Sequence, residues 1–439
     1  MPCGFAWAEN ARPEPSIPAT VMRQTLVSLT AMFVSLALLV CGTTLLGTLL
    51  SLRLAAEGLS TATIGAVLVF HSIGFVLGTR VVTRLIRRVG QIRSFAAFAA
   101  VSCVVALVHP NLVWAPLWAV LRVASGFCMA GMVMILESWI SGRATTHNRG
   151  TLLGIYQLVY FSFSALGQFL IGLTDPGQLP VFSLAAALVV LALVPLSLTR
   201  EEAPTLPLAG RMRFGDLFRA SPSAFLGAMA GGAISAGFLS MAPVYGYETA
   251  MEVDRIALYL TVAVLGAMVL QWPFGRLSDM FERRRVLGAF AVSVGLFAAL
   301  LALMGDWSIW LLFGLTVPVF GITGCFYPVC LSMLNDRMET PDPVGASASL
   351  LFVFGLGTCA GPLLSAGSMA VLGPHGLFLF LAVTATGLAA VVSYRMRVSD
   401  EVPIEQQGRF VVMPATDAGP AIVELDPRIE ADGGYAPVR

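Results

Sequence analysis

The chain has 439 residues, 57% of them hydrophobic and only 12% charged, with a formal net charge of +1. An ordinary soluble protein carries about a quarter charged residues, so this composition excludes one and leaves a polytopic helical membrane protein. The near-zero net charge says nothing about partners, and all 26 basic residues are arginine.

Residues 1–22 are rich in Pro, Ala and Glu. They read as a disordered cytosolic leader, or as residues preceding a true start at Met22. They are not a signal peptide, because the apolar run after Arg23 is too long and the basic residues before it too sparse. Residues 23–198 then hold six apolar runs long enough to cross a bilayer. Helix 1 is expected at Thr25 to Leu52, helix 2 at Thr61 to Thr83, helix 3 at Phe95 to Val108 and helix 4 at Leu112 to Ile140. Helix 5 follows at Gly150 to Leu173 and helix 6 at Leu179 to Leu198, with turns at His109-Pro110-Asn111 and Asp175-Pro176-Gly177.

Residues 199–222 are the one long polar break inside the apolar body, so they separate two halves. Phe214, Leu217 and Phe218 suggest a short interfacial helix there. The second half, residues 223–397, predicts helix 7 at Ser223 to Tyr247, helix 8 at Ala257 to Trp272 and helix 9 at Val286 to Met304. Helices 10, 11 and 12 are expected at Ser308 to Leu334, Ala346 to Leu372 and Leu377 to Met396. Residues 398–439 are polar and rich in proline and acid, and are expected to be a disordered tail.

The loops after helices 2, 4, 6, 8 and 10 and the segment after helix 12 hold most of the arginines. The positive-inside rule therefore places both termini in the cytosol. The halves also look like copies: a shift of about 195 residues lays Gly150 on Gly345 and Gly126 on Gly321. Seven cysteines, six of them in apolar runs and none in a C-x-x-C pair, read as packing residues.

Polar residues in the apolar runs are the candidate site. An arginine or acid at helix centre costs about 2.5–3.5 kcal/mol on insertion scales, so such groups face a cavity or a partner. Arg122 is the strongest, and one reading of it is packing against helix 1 carbonyls. His71 is either a proton carrier or a neutral histidine at a close helix contact beside Gly74 and Gly78. Glu137 is expected either to pair with an arginine of the basic loop or to be an interfacial acid in water, with pairing ahead of proton carriage. Gln157, Tyr160, Gln168, Gln271, Trp272 and Tyr327, with Thr43 and Thr44, are candidates to line a cavity for an amphipathic organic solute. On helix 11, Gly357, Gly361 and Pro362 combine a close-packing face with a kink. No P-loop and no catalytic or metal-ligand cluster is present, so an enzyme and ATP as energy source are not expected.

The stretch from Gly275 to Arg285 joins helices 8 and 9. Gly275 and Asp279 share a helix face, and Asp279 lies within pairing reach of Arg283 or Arg284. This resembles the G-x-x-x-D-x-x-x-R-R loop of the major facilitator superfamily. Arg122-Val123-Ala124-Ser125-Gly126 resembles that superfamily's R-x-x-x-G signature on helix 4, which implies a role for Arg122 in coupling or in shaping the cavity, as the alternative to packing. The first-half loop, Arg87-Arg88-Val89-Gly90-Gln91-Ile92-Arg93, departs from the pattern, having Arg87 where the aspartate is usual. With Glu137-Ser138-Trp139 and Arg149-Gly150-Thr151, the chain is similar to the YcaD-like branch of bacterial transporters.

The resemblance implies an all-α membrane protein of twelve transmembrane helices in two pseudo-symmetric six-helix halves. It implies a secondary transporter of the inner membrane working by alternating access. The transporter would be a proton-coupled monomer that binds a small organic solute and membrane lipid, with no cofactor and no nucleic acid. Export is expected ahead of uptake. In the closed cytosolic gate, Asp279 is expected beside Arg283 or Arg284 and near the start of helix 11 at Gly345, with Gly275, Gly361 and Pro362 as further gating positions. The alternative is a membrane protein of the same shape that senses or scaffolds without transporting.

Overall fold

The computed structural model describes residues 19–145, 148–173, 175–199, 204, 212–305, 307–337, 343–399, 403, 407–408, 410–411, 413–414 and 418–426. Twelve helices in it are long and apolar enough to cross a membrane. They are α1 (Ala19–Ala56), α2 (Thr61–Val89), α3 (Gln91–Val108), α4 (Ala115–Ser141), α5 (Arg149–Ile171) and α6 (Leu179–Ser197), then α7 (Pro222–Glu248), α8 (Val253–Met280), α9 (Arg283–Met304), α10 (Ile309–Asn335), α11 (Pro343–Leu372) and α12 (Gly376–Val398). A short helix, Phe214–Ala220, stands between α6 and α7, and no strand occurs among the described residues. The expected leader lies mostly outside the described residues.

Local chemistry sets the helix ends. Ser60, Ser221 and Ser308 accept the N–H of Thr63, Ala224 and Trp310 and so cap α2, α7 and α10. Gly90, at φ +97°, turns the chain from α2 into α3 within one residue. Several boundaries differ from the sequence reading: α1 begins at Ala19 rather than Thr25, and α2 continues to Val89 rather than Thr83. The stretch from Gly275 to Asp279 is the last turns of α8 rather than loop, since after Pro273 nothing breaks the helix until Phe281 and Glu282. α10 is interrupted at Gly324 and Cys325 into Ile309–Thr323 and Phe326–Asn335.

Packing partners repeat with a period of six helices. α2 packs on α4 as α8 packs on α10; α1 contacts α5 and α6 as α7 contacts α11 and α12; α3 contacts α4 and α6 as α9 contacts α10 and α12. Close approach explains one of the glycine pairs matched between halves, Gly126 with Gly321, while a Cβ at Gly150 would meet nothing within 4 Å. A Cβ built at Gly126 would stand 2.0 Å from the His71 carbonyl oxygen, and one at Gly321 would stand 3.2 Å from that of Gly266. The two six-helix units meet through α2 with α11, α5 with α8, and α1 with α7. Large apolar side chains such as Val120, Val269, Val292, Leu303 and Val383 point outward, as lipid-facing positions do. Exposed Trp114, Trp307 and Trp310 lie at span ends, where aromatic rings sit at the bilayer interface.

With twelve spans both ends of the helical body lie on one face, called here the terminal face. Composition gave no reason to expect order in the tail beyond α12. Its described residues nonetheless pack on the terminal face: Met413, Ala418, Ile422, Leu425 and Asp426 are buried, and Pro420–Leu425 forms a 3-10 helix.

Candidate functional site: a cavity between the two units

A cavity of about 850 Å³ lies between the units. Its lining runs from Thr43, Thr44 and Thr48 on α1 and Leu68 and His71 on α2 to Arg84, Arg87 and Met212 at the terminal face. On the opposite face the units are in contact. There Thr61 donates to Glu248 at 2.7 Å, and a Cβ at Gly65 would stand 2.6 Å from the Pro362 carbonyl oxygen. Likewise a Cβ at Gly172 would stand 3.0 Å from Cα of Asp254. The cavity therefore extends toward one face only.

Polar groups are placed in it by helix crossings. Gly74 and Gly126 bring α2 against α4, which lets Ser125 reach His71. The Ser125 hydroxyl donates to the Arg122 carbonyl at 2.9 Å, so His71 Nδ1, at 3.1 Å, supplies the proton of their contact. His71 and Arg122 both line the cavity. Thr48 donates to Gln168 at 2.7 Å across α1 and α5, and both are at the wall. The Arg80 guanidinium lies 3.9 Å over the Phe352 ring and joins the two walls. Gln157, Tyr160, Gln271 and Tyr327 come together in an adjoining pocket of about 40 Å³, and Tyr160 lines both spaces. Gln157 is buried there, and among the described residues its amide oxygen and nitrogen have no hydrogen-bond partner.

Several expectations are corrected. Trp272 lines no cavity: it is exposed on the outside of α8, where Arg276 stacks on it at 3.7 Å. Glu137 meets no arginine. It is buried and accepts from the Tyr156 hydroxyl at 3.0 Å and the Gly419 N–H of the tail at 2.9 Å. Arg284 does not serve Asp279; it donates to the Ser399 carbonyl at 2.8 Å and secures the end of α12. Arg283 stands 4.0 Å from Asp279 but only 2.9 Å from Asp336, which the sequence reading did not single out. No contact of Asp279 with Gly345 is present; Asp279 accepts the Phe410 N–H of the tail at 2.6 Å. Gly275 lies under the Phe410 ring. Gly357 and Gly361 are a packing face, since a Cβ there would stand 2.1 and 2.3 Å from the carbonyl oxygens of Met229 and Ala233 on α7.

The Major Facilitator Superfamily family model matches residues 32–254 and 224–415. The chain belongs to the major facilitator superfamily. Its relatives in the superfamily include an uncharacterized MFS-type transporter of Yersinia pestis (strain Pestoides F), 27% identical over 368 residues covering 79% of this chain and 91% of that one. The uncharacterized MFS-type transporter YcaD of Escherichia fergusonii is 26% identical over 355 residues, covering 79% and 90%. The chain is an MFS transporter of this YcaD-like branch. Solved MFS structures share the fold. The nucleoside transporter NupG superposes with a TM-score of 0.69 at 13% identity, covering 86% of this chain and 100% of that one. A bacterial homolog of the human lysosomal transporter Spinster, in an inward-facing and occupied conformation, gives 0.69 at 16% identity over 90% and 99%. This multi-pass membrane protein is thus a membrane transporter of a small molecule.

Proposed function

We propose that the chain is a secondary active transporter of the inner membrane, acting as a monomer, that exports a small amphipathic organic solute by alternating access, driven by the proton gradient. The observation that carries this reading is the cavity itself: about 850 Å³ between two repeated units, reaching one face and sealed from the other. A non-transporting sensor or scaffold would be better served by a filled interface between the units. With the arginine-rich loops inside the cell, the terminal face is cytosolic, so in this state solute loads from the cytosol. That favours export. The apolar wall around Phe75, Leu351 and Phe354, interrupted by hydroxyls and amides, suits a solute of mixed polarity. His71 is the candidate proton carrier, since it faces the cavity and touches the residue next to Gly126.

The test is flux in proteoliposomes with and without a pH gradient, after a thermal-shift screen of the purified chain against amphipathic solutes. Gradient-dependent flux is expected. A ligand that binds with no flux under any gradient would favour the sensor reading. Tags at both termini should be protected from protease added outside the cell; cleavage there would reverse the orientation and with it the direction.

A further inference from the structure

We infer that the cavity selects an organic anion, an inference that rests on the cavity being the solute site. Five arginines line it, Arg80, Arg84, Arg87, Arg122 and Arg213, and among the described residues no aspartate or glutamate does. Fixed charge of one sign between low-dielectric walls concentrates the field and draws counter-charge toward it. Arg84 and Arg87 stand where the cavity meets the terminal face, Arg80 lies further in on Phe352, and Arg122 lies deepest beside His71. Arginine suits this task, because a planar guanidinium binds a carboxylate, sulfonate or phosphate through two parallel N–H bonds. The stacked Arg80 still presents its edge for such a bond. The aromatic and aliphatic side chains opposite would take the apolar part, and the unpartnered Gln157 amide in the adjoining pocket offers a further polar contact. A cationic solute of equal shape would meet five like charges and no partner.

Charged thiol reagents read this directly, without knowledge of the natural solute. In a full-length Cys3→Ala, Cys103→Ala, Cys359→Ala background, whose remaining cysteines are buried, Ser72→Cys supplies one cavity thiol. The anionic sulfonatoethyl methanethiosulfonate should react about tenfold faster, relative to the cationic trimethylammonioethyl reagent, than it does with free thiol. Adding Arg80→Gln and Arg84→Gln should remove most of that preference. Naphthalene-2-sulfonate should slow labelling more than naphthylmethyl-trimethylammonium does. A reagent preference equal to that of free thiol, or better protection by the ammonium compound, overturns the inference. Absence of flux with this preference intact would instead remove the transport reading alone.

A separate observation concerns the tail. We propose that the described tail residues, 407–408, 410–411, 413–414 and 418–426, form an internal wedge that holds the units apart at the terminal face and must leave before that face can close. One end is fixed to the second unit. Arg283 donates to the Gly408 carbonyl, the Gly408 N–H donates to Asp336 at 3.1 Å, and the Phe410 N–H donates to Asp279. The other end is fixed to the first unit: the Gly419 N–H donates to Glu137, and Ser141 donates to the Ala421 carbonyl at 2.9 Å. Between them, Met413 and Pro414 cover the pocket of Gln157, Tyr160, Gln271 and Tyr327. The 3-10 helix lies against both α4 and α11. These described residues thus stand between the two units at this face.

Two variants of the full chain should expel it by different means. Phe410→Ala with Met413→Ala deletes its apolar anchors. Gly419→Leu adds a side chain where even a Cβ would stand 2.7 Å from Glu137 Oε2. Spin labels at Arg88→Cys and Arg285→Cys, in the background above, report the separation of the units at this face by pulsed electron resonance. Both variants should increase the short-distance population severalfold over the parent. Distance distributions unchanged in both would overturn the proposal.

Discussion

Arg283 does more for this structure than Asp279, although the signature motif gives them equal weight. Its side chain is 1% exposed and lies 2.9 Å from Asp336, itself 6% exposed, whereas Asp279 is 42% exposed at 4.0 Å. Removing one partner of a buried pair leaves an uncompensated charge and costs roughly 3–5 kcal/mol, while an exposed pair contributes about 0–1. Asp336→Asn should therefore lower thermal stability sharply and Asp279→Asn hardly at all; similar melting shifts for the two would contradict this. The Asp279–Arg283 spacing was legible because it falls within one stretch of chain. Asp336 was not, because it comes from the end of α10, and only packing of α9 beside it makes the pair. The same limit hid the partners of Glu137. His71 and Arg122 were legible, since charge in an apolar run announces itself. His71→Gln should abolish pH-driven flux and spare counterflow exchange in proteoliposomes; an unchanged pH dependence would leave the ring a packing role.

At the scale of elements, the apolar runs found all twelve spans. What they could not find was where helices continue into water or break inside the membrane. α8 extends through the motif because Arg276, Leu277, Ser278 and Asp279 are all compatible with helix, and hydropathy windows are blind to a polar helical end. The glycines sort in a way sequence does not show. Gly126 and Gly154 look alike in the chain, yet a Cβ at Gly126 meets backbone of α2 at 2.0 Å and one at Gly154 meets nothing within 4 Å. Gly126→Val should cost at least about 1–3 kcal/mol by overpacking, and should lose the His71–Ser125 contact. Gly154→Ala should be neutral or stabilising by up to about 1 kcal/mol. Denaturation of the purified variants in detergent separates the two; equal loss would mean the α2–α4 crossing is softer than drawn.

For the whole molecule, the repeat was legible as a handful of matched glycines and is expressed in full by the packing partners. The tail was not legible: Phe410, Met413, Ile422 and Leu425 are too few and too scattered to signal order, and each is held by a surface that exists only once both units are folded. The sealed face carries its own consequence. At the sealed end of the α2–α11 contact Gly65 stands against Ala366 and the backbone of Pro362. Parting them uncovers only a few carbon groups, at about 0.8 kcal/mol for each CH₂. At this point the seam is a smooth bearing rather than a latch, and the Thr61–Glu248 hydrogen bond is the polar contact beside it. Gly65→Leu would jam the bearing open, since even its first carbon would overlap Ala366 Cβ at 2.2 Å. Thr61→Cys at the rim of this seam should then react several times faster with an impermeant thiol reagent added from that side. An unchanged rate would show that the two units part somewhere else.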